Sequence, residues 1–175
     1  MTTSTSMFSG GSMAGSSPIA SQLGSTGTLG FGFSAGGLLY AYYVGVIVAL
    51  RDELGLLNAN TPVAGASAGA LIAATSKSGL SEADLVEATL MLARDCRQNG
   101  TRFRLRSVLN RTLRDVLPDD IHERCSGNTH LAVTQLWPQF APRLVSDFRS
   151  REHLIETLLT SCHIPWYFDG SLITG

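Results

Sequence analysis

The chain has 175 residues, enough for one domain with a hydrophobic core but not for two comfortable ones. Apolar residues make up 44% and charged residues 15%, with a mean hydropathy of +0.14, which excludes a wholly disordered chain and favours a compact or membrane-associated one. A net charge of −1 removes any electrostatic case for nucleic-acid binding.

Charge is unevenly spread. All 13 basic and 14 acidic side chains follow position 50, and Lys77 is the only lysine. Residues 1–28 are Ser, Thr, Gly and Met with few large apolar groups, so they are predicted to be a disordered low-complexity segment. They carry neither the positive n-region of a signal peptide nor the arginines of a transit peptide. The remaining residues, 29–175, are predicted to form one domain. Leu29 to Leu50 is apolar and long enough to cross a bilayer. Gly30, Gly32, Gly36 and Gly37 interrupt its first half, so a buried strand, a loop and a helix are the expectation instead.

In chain order, Leu29 to Ser34 reads as a short buried strand ending in the turn Ala35-Gly36-Gly37. Leu38 to Glu53 reads as a helix with Gly55 after it, apolar almost all round and so predicted to be largely buried. Thr61 to Gly65 is a second strand, followed by a helix of small residues, Ser67 to Ala74, able to approach a sheet closely. Ser81 with Asp84 marks the start of a helix reaching Cys96 and ending at Asn99-Gly100. Leu105 to Leu117 is helical up to Pro118, and Asp119 opens a short helix to Cys125. His130 to Leu136 and Arg143 to Phe148 are strand-like, joined by a turn containing Pro138 and Pro142. Ser150 caps a last helix, Arg151 to Thr160. The expected class is α/β, a central sheet flanked by helices.

The strongest chemical signal is Gly65-Ala66-Ser67-Ala68-Gly69, a G-x-S-x-G pattern with an apolar strand before it and a small-residue helix after it. That context is a nucleophile elbow, which sets the Ser67 hydroxyl at the positive end of a helix. The plainer alternative is a turn with a capping serine. A second glycine loop, Ser34-Ala35-Gly36-Gly37-Leu38, also lies between a strand and a helix, and its backbone N–H groups can bind an oxyanion. A phosphate-binding loop is the alternative there. Its Gly30-Gly32-Gly36 spacing is one residue too long for a dinucleotide fingerprint, and no G-K-[ST] is present.

At these residues the sequence resembles the patatin-like phospholipases. The matching features are Gly32-Phe33-Ser34-Ala35-Gly36-Gly37-Leu38 running into Tyr42-Tyr43-Val44-Gly45-Val46, the elbow Gly65 to Gly69, and Leu144-Val145-Ser146-Asp147-Phe148 with the helix and Ser161-Cys162-His163-Ile164-Pro165 after it. They are most similar to the triacylglycerol-lipase branch. The resemblance implies a serine lipid acyl hydrolase with a Ser–Asp dyad, no metal or organic cofactor, and an acylglycerol or phospholipid substrate met at a membrane or lipid-droplet surface. It gives Ser67 the nucleophile role and the amides of Gly36, Gly37 and Leu38 the oxyanion hole. Leu39 stands where many members carry Arg or Lys, which removes a cation for a phospholipid headgroup.

The family's aspartate lies in a D-G-[GA] motif well beyond the Ser-Cys-x-x-Pro segment. Asp169-Gly170-Ser171 follows Pro165 too closely and ends in serine, so Asp169 is expected to be a turn residue. The expectation is a patatin-like domain incomplete on its C-terminal side and lacking that aspartate. Its alternative function is a catalytically inactive lipid-binding fragment. His163 with Asp147, or His153, offers a triad in outline, though a surface or capping role is expected of each. Cys96, Cys125 and Cys162 form neither a disulfide framework nor a CxxC site and read as reduced, buried intracellular thiols. Arg102, Arg104 and Arg106 suit either anionic headgroups or a solvated linker. Trp137, Trp166, Tyr167 and Phe168 suit either a lipid surface or the core.

Overall fold

A computed structural model describes residues 29–174, so the predicted low-complexity segment 1–28 lies outside the described residues. The elements follow in the order β1 (Phe31–Phe33), α1 (Tyr40–Val48), β2 (Val63–Ala66), α2 (Ala68–Thr75), α3 (Glu82–Asn99), α4 (Leu105–Val116), α5 (Ile121–Cys125), β3 (Thr129–Gln135), β4 (Ala141–Val145) and α6 (Arg151–Ser161). The strands form one sheet in the order β1-β2-β3-β4. The first three are parallel, with Phe33 beside Gly65 and Gly65 beside Leu131, and β4 runs antiparallel to β3. Helices flank this sheet: α2 packs on β1, β2 and β3, and α6 on β3.

The caps expected from sequence are present. Ser81 Oγ accepts the Asp84 N–H, and the Asp84 carboxylate accepts the Ser81 N–H. Ser150 Oγ accepts the His153 N–H and opens α6. One strand starts earlier than expected. β4 begins at Ala141, not Arg143, because Pro142 sits opposite Thr134 on an edge strand, where a missing N–H breaks no ladder.

The first helix also departs from expectation. Its regular part is Tyr40–Val48, entered through a 3-10 turn at Gly37–Leu39 and continued by a wider turn at Ala49–Glu53. Only Val44 and Ile47 of α1 are buried, while Leu38, Leu39 and Tyr42 are 71, 67 and 70% exposed. Hydropathy reports how apolar a helix is, not how many of its faces meet a neighbour. Here α1 rests on α2 and α3 along one face and leaves the other open. Among the described residues no helix is long and apolar enough to cross a membrane.

The core lies between the sheet and α2, where all eight residues from Ala68 to Thr75 are buried, and extends under α6 through Leu154, Ile155, Leu158 and Leu159. Phe168 is fully buried in it, whereas Trp137 and Trp166 are exposed. Two polar ties hold α2 in place. Just past its end, the Lys77 ammonium is buried and donates to the carbonyls of Asn58, Ala59 and Thr61 in the loop that feeds β2. Burial pulls its pKa below the usual lysine value. At the other end Ser161 Oγ accepts the Ser67 N–H at 2.8 Å and donates to the Ala132 carbonyl at 2.7 Å, joining the end of α6, the β2–α2 bend and β3.

Two substitutions measure these ties. Lys77→Met leaves three carbonyls without their charged donor and is expected to lower unfolding stability by about 3 kcal/mol in a denaturant titration. Ser161→Ala is expected to cost about 1–3 kcal/mol, with Ser161→Thr recovering most of it. Variants as stable as the parent would show that neither tie carries weight.

Candidate active site

Ser67 occupies the bend between β2 and α2 with φ 54° and ψ −122°, a region that side-chain-bearing residues rarely enter. Such a conformation costs about 1–3 kcal/mol and persists only where the surroundings over-determine it. They do so here. A Cβ on Gly65 would stand 2.1 Å from the Gly69 carbonyl oxygen, and one on Gly69 would stand 2.1 Å from that of Phe33. Glycine is thus required at both ends of the motif by contact between strand and helix backbones. The bend points the serine at the N-terminus of α2, where the amides and helix dipole favour negative charge.

The second glycine loop faces the same space. Gly37 and Leu38 line one cavity of about 310 Å3 together with Ser67 and Ala68. Gly37 has φ +53°, which turns the chain from β1 into the 3-10 turn, and the Gly36 carbonyl accepts the Leu39 N–H. Tyr43 braces the loop from below: its hydroxyl donates to the Ser34 carbonyl at 3.1 Å and hydrogen-bonds the Ser34 hydroxyl at 2.9 Å. Gly36 is packed against the Tyr43 ring and does not line the cavity. Of the residues singled out from sequence, Ser67, Gly37 and Leu38 are therefore brought to one cavity and Gly36 to its supporting layer.

The cavity continues away from Ser67 between α3 and α4 over apolar side chains, among them Leu71, Leu92, Leu105 and Leu109. Thr101 and Tyr167 share a hydroxyl hydrogen bond at its edge. Cys162 forms part of the wall beside Ser67; burial pushes its thiol up to about 12, against the pull of a hydrogen bond with the Ser67 hydroxyl. Cys125 is likewise pushed up by burial, to about 11, which favours the neutral thiol in both, while Cys96 is only half-buried. Among the described residues no cluster of His, Cys, Asp and Glu is arranged to hold a metal ion.

Among the described residues lining this cavity none is Asp, Glu or His. Asp169 behaves as the turn residue expected of it. Its carboxylate accepts the Ser171 N–H and hydroxyl and lies 3.7 Å from Arg106, and these partners, the Ser171 hydroxyl foremost, hold it below the ordinary aspartate value. Asp147 is exposed. His153 Nδ1 accepts the Arg149 N–H, and His163 stacks edge-on to Phe168 with Nε2 at the Leu172 carbonyl. None of these lines the cavity, and among the described residues no triad is assembled. Arg104 pairs with Asp95 and Arg106 with Glu156, tying helices together, while Arg102 lies over the Phe103 ring. Sequence reasoning missed the roles of Ser161 and Cys162, since nothing in their spacing says that the end of α6 reaches the bend at Ser67.

The patatin-like phospholipase family model matches residues 33–175. The chain is 31% identical to mouse 1-acylglycerol-3-phosphate O-acyltransferase Pnpla3, with 77% of this chain and 34% of that protein aligned. It is 32% identical to human patatin-like phospholipase domain-containing protein 2, over 80% of this chain and 29% of that protein. It is 31% identical to mouse omega-hydroxyceramide transacylase, over 77% and 23% respectively. The chain thus spans about a quarter to a third of the length of these relatives. With a glycine-flanked serine bend, a glycine loop facing it and a family match over most of its length, the chain belongs to the patatin-like phospholipase family.

Proposed function

We propose that the domain is a serine acyl hydrolase of lipid esters, with Ser67 as nucleophile. The observation that supports this most is the strained bend, which holds one hydroxyl at a helix N-terminus, opposite a glycine loop and at the head of an apolar cavity. In the reaction, Ser67 Oγ attacks the ester carbonyl and its proton passes to the general base. The carbonyl oxygen becomes an oxyanion held by the amides of Gly37 and Leu38, with Gly36 supporting the loop. Each such donor is worth roughly 3 kcal/mol of barrier. Collapse breaks the ester C–O bond, and the leaving oxygen takes the proton from the base and departs as the alcohol, leaving an acyl group on Ser67. Water, deprotonated by the same base, then attacks, the C–Oγ bond breaks, Ser67 Oγ regains the proton and the fatty acid departs. The base in this scheme is an aspartate, as the family resemblance implies, and no Asp among the described residues lines the cavity. No metal or cofactor takes part.

Two relatives are named an acyltransferase and a transacylase, so the acyl-serine also has a second exit, to the hydroxyl of a lipid alcohol instead of water. Both outcomes share every step up to the acyl-enzyme. The substrate class is an acylglycerol or phospholipid at an intracellular membrane or lipid-droplet surface. The exposed Leu38, Leu39 and Tyr42 beside the cavity mouth suit that setting. The competing reading, lipid binding without turnover, draws on the lack of Asp, Glu and His among the cavity-lining residues.

A fluorophosphonate probe, applied to the full-length protein and followed by peptide mass spectrometry, separates these readings. Labelling is expected on Ser67, and Ser67→Ala is expected to abolish it and to lower lipid-ester turnover by at least about a thousandfold, with the fold intact. Labelling that persists in Ser67→Ala contradicts the assignment; a folded protein with no labelling supports lipid binding alone.

A further inference from the structure

A second, smaller cavity of about 30 Å3 lies beyond the first. Tyr40, Leu71, Thr89, Leu92 and Leu109 line both and form the partition between them. The residues run in matching order along two helices. On α4, Leu105 lines only the first cavity, Leu109 both, and Thr112 and Val116 only the second. On α3 the order is reversed: Cys96 lines only the first cavity, Leu92 and Thr89 both, and Ala88 and Leu85 only the second. The cavities therefore lie end to end in the seam between α3 and α4, along about 16 Å of helix from Leu105 to Val116.

The far end of this seam has no free hydroxyl donor among its described Thr side chains. Thr89 Oγ1 donates to the Leu85 carbonyl at 2.7 Å and Thr112 Oγ1 to that of Val108 at 3.0 Å. Thr75 Oγ1 donates to the Leu71 carbonyl at 2.7 Å and hydrogen-bonds the Tyr40 hydroxyl at 3.4 Å. Each threonine proton of the partition and the second cavity is thus engaged within the fold, and the lining is mainly hydrocarbon. Dry apolar space of this kind takes up aliphatic groups and rejects polar ones, which would lose their hydrogen bonds.

We infer that the second cavity is a chain-length subsite that receives the methyl end of the substrate's acyl chain, with Leu109 as the threshold residue over which the chain passes. This rests on the lipid-ester reading of the site. Along α2, Ser67 and Ala68 line only the first cavity, Leu71 both and Thr75 only the second, so the seam leads away from Ser67 and across the partition. Leu109 is the one partition residue that α4 contributes, facing Leu92 and Thr89 of α3 across the seam. Leu71 belongs to the helix docked on the sheet, and Tyr40 is hydrogen-bonded to Thr75.

The test is a displacement titration with n-alkanols of increasing length, below their micelle concentrations, on the full chain and two variants that act in opposite directions. Leu109→Ala opens the partition and is expected to raise the ratio of long-chain to short-chain affinity by about tenfold. Ala88→Leu fills the second cavity and is expected to lower that ratio by about tenfold. A ratio that is the same in all three proteins, or failure of any alkanol to bind, overturns the subsite. The measurement does not use the Ser67 nucleophile. A chain-length shift with no fluorophosphonate labelling keeps the subsite and removes the hydrolase, while labelling without a shift does the reverse.

Discussion

The close approach of α2 to the strands beneath it governs the rest of the structure. Gly69 packs so tightly on β1 that no side chain fits between its Cα and the Phe33 carbonyl, and Gly65 meets Gly69 in the same way. With both ends of the bend fixed, the chain turns from strand to helix in a single residue, and that residue takes a positive φ. Serine at that position is strained, and the strain is balanced by burial along the whole of α2 and by the Ser161 hydroxyl on its amide. The strained position of Ser67 is thus a by-product of backbone packing and does not depend on the serine itself being well accommodated.

From this constraint the chemistry follows in order. A sharp bend exposes Oγ at a helix N-terminus, the parallel pairing of β1 with β2 brings the following glycine loop to the same side, and the seam between α3 and α4 provides apolar space. The electrostatic part sits at one end of the cavity and the hydrocarbon part at the other, which is the division an ester with a long acyl tail needs. Cys162 is buried beside Ser67, and that burial pushes its thiol up to about 12, which favours the neutral form in the wall of the cavity.

Much of this was legible in the amino-acid sequence, for identifiable reasons. The β2–α2 bend was legible because steric exclusion leaves its mark as glycine and alanine at fixed positions. Caps were legible at Ser81 and Ser150 because they are local hydrogen bonds. Asp169 was legible as a turn residue because Asp-Gly-Ser carries its own hydrogen-bonding partners. Long-range contacts were not: nothing near Ser161 signals that its hydroxyl spans to Ser67, and nothing near Lys77 signals that the lone lysine is buried under three carbonyls. The apolar α1 misled in the opposite direction, because hydropathy counts apolar side chains without knowing that one face of the helix meets no neighbour. Pro142 misled because a proline stops a central strand but not an edge.

The central claim is geometric: the strained serine and the glycine-loop amides converge on one point. A crystal structure of the protein phosphonylated by an alkyl fluorophosphonate tests it most directly. The account predicts the phosphonyl oxygen about 2.7–3.1 Å from the Gly37 and Leu38 nitrogens, with the alkyl chain in the seam between α3 and α4. A phosphonyl oxygen turned to solvent, or a Ser67 that relaxes to negative φ without losing its adduct, would contradict it.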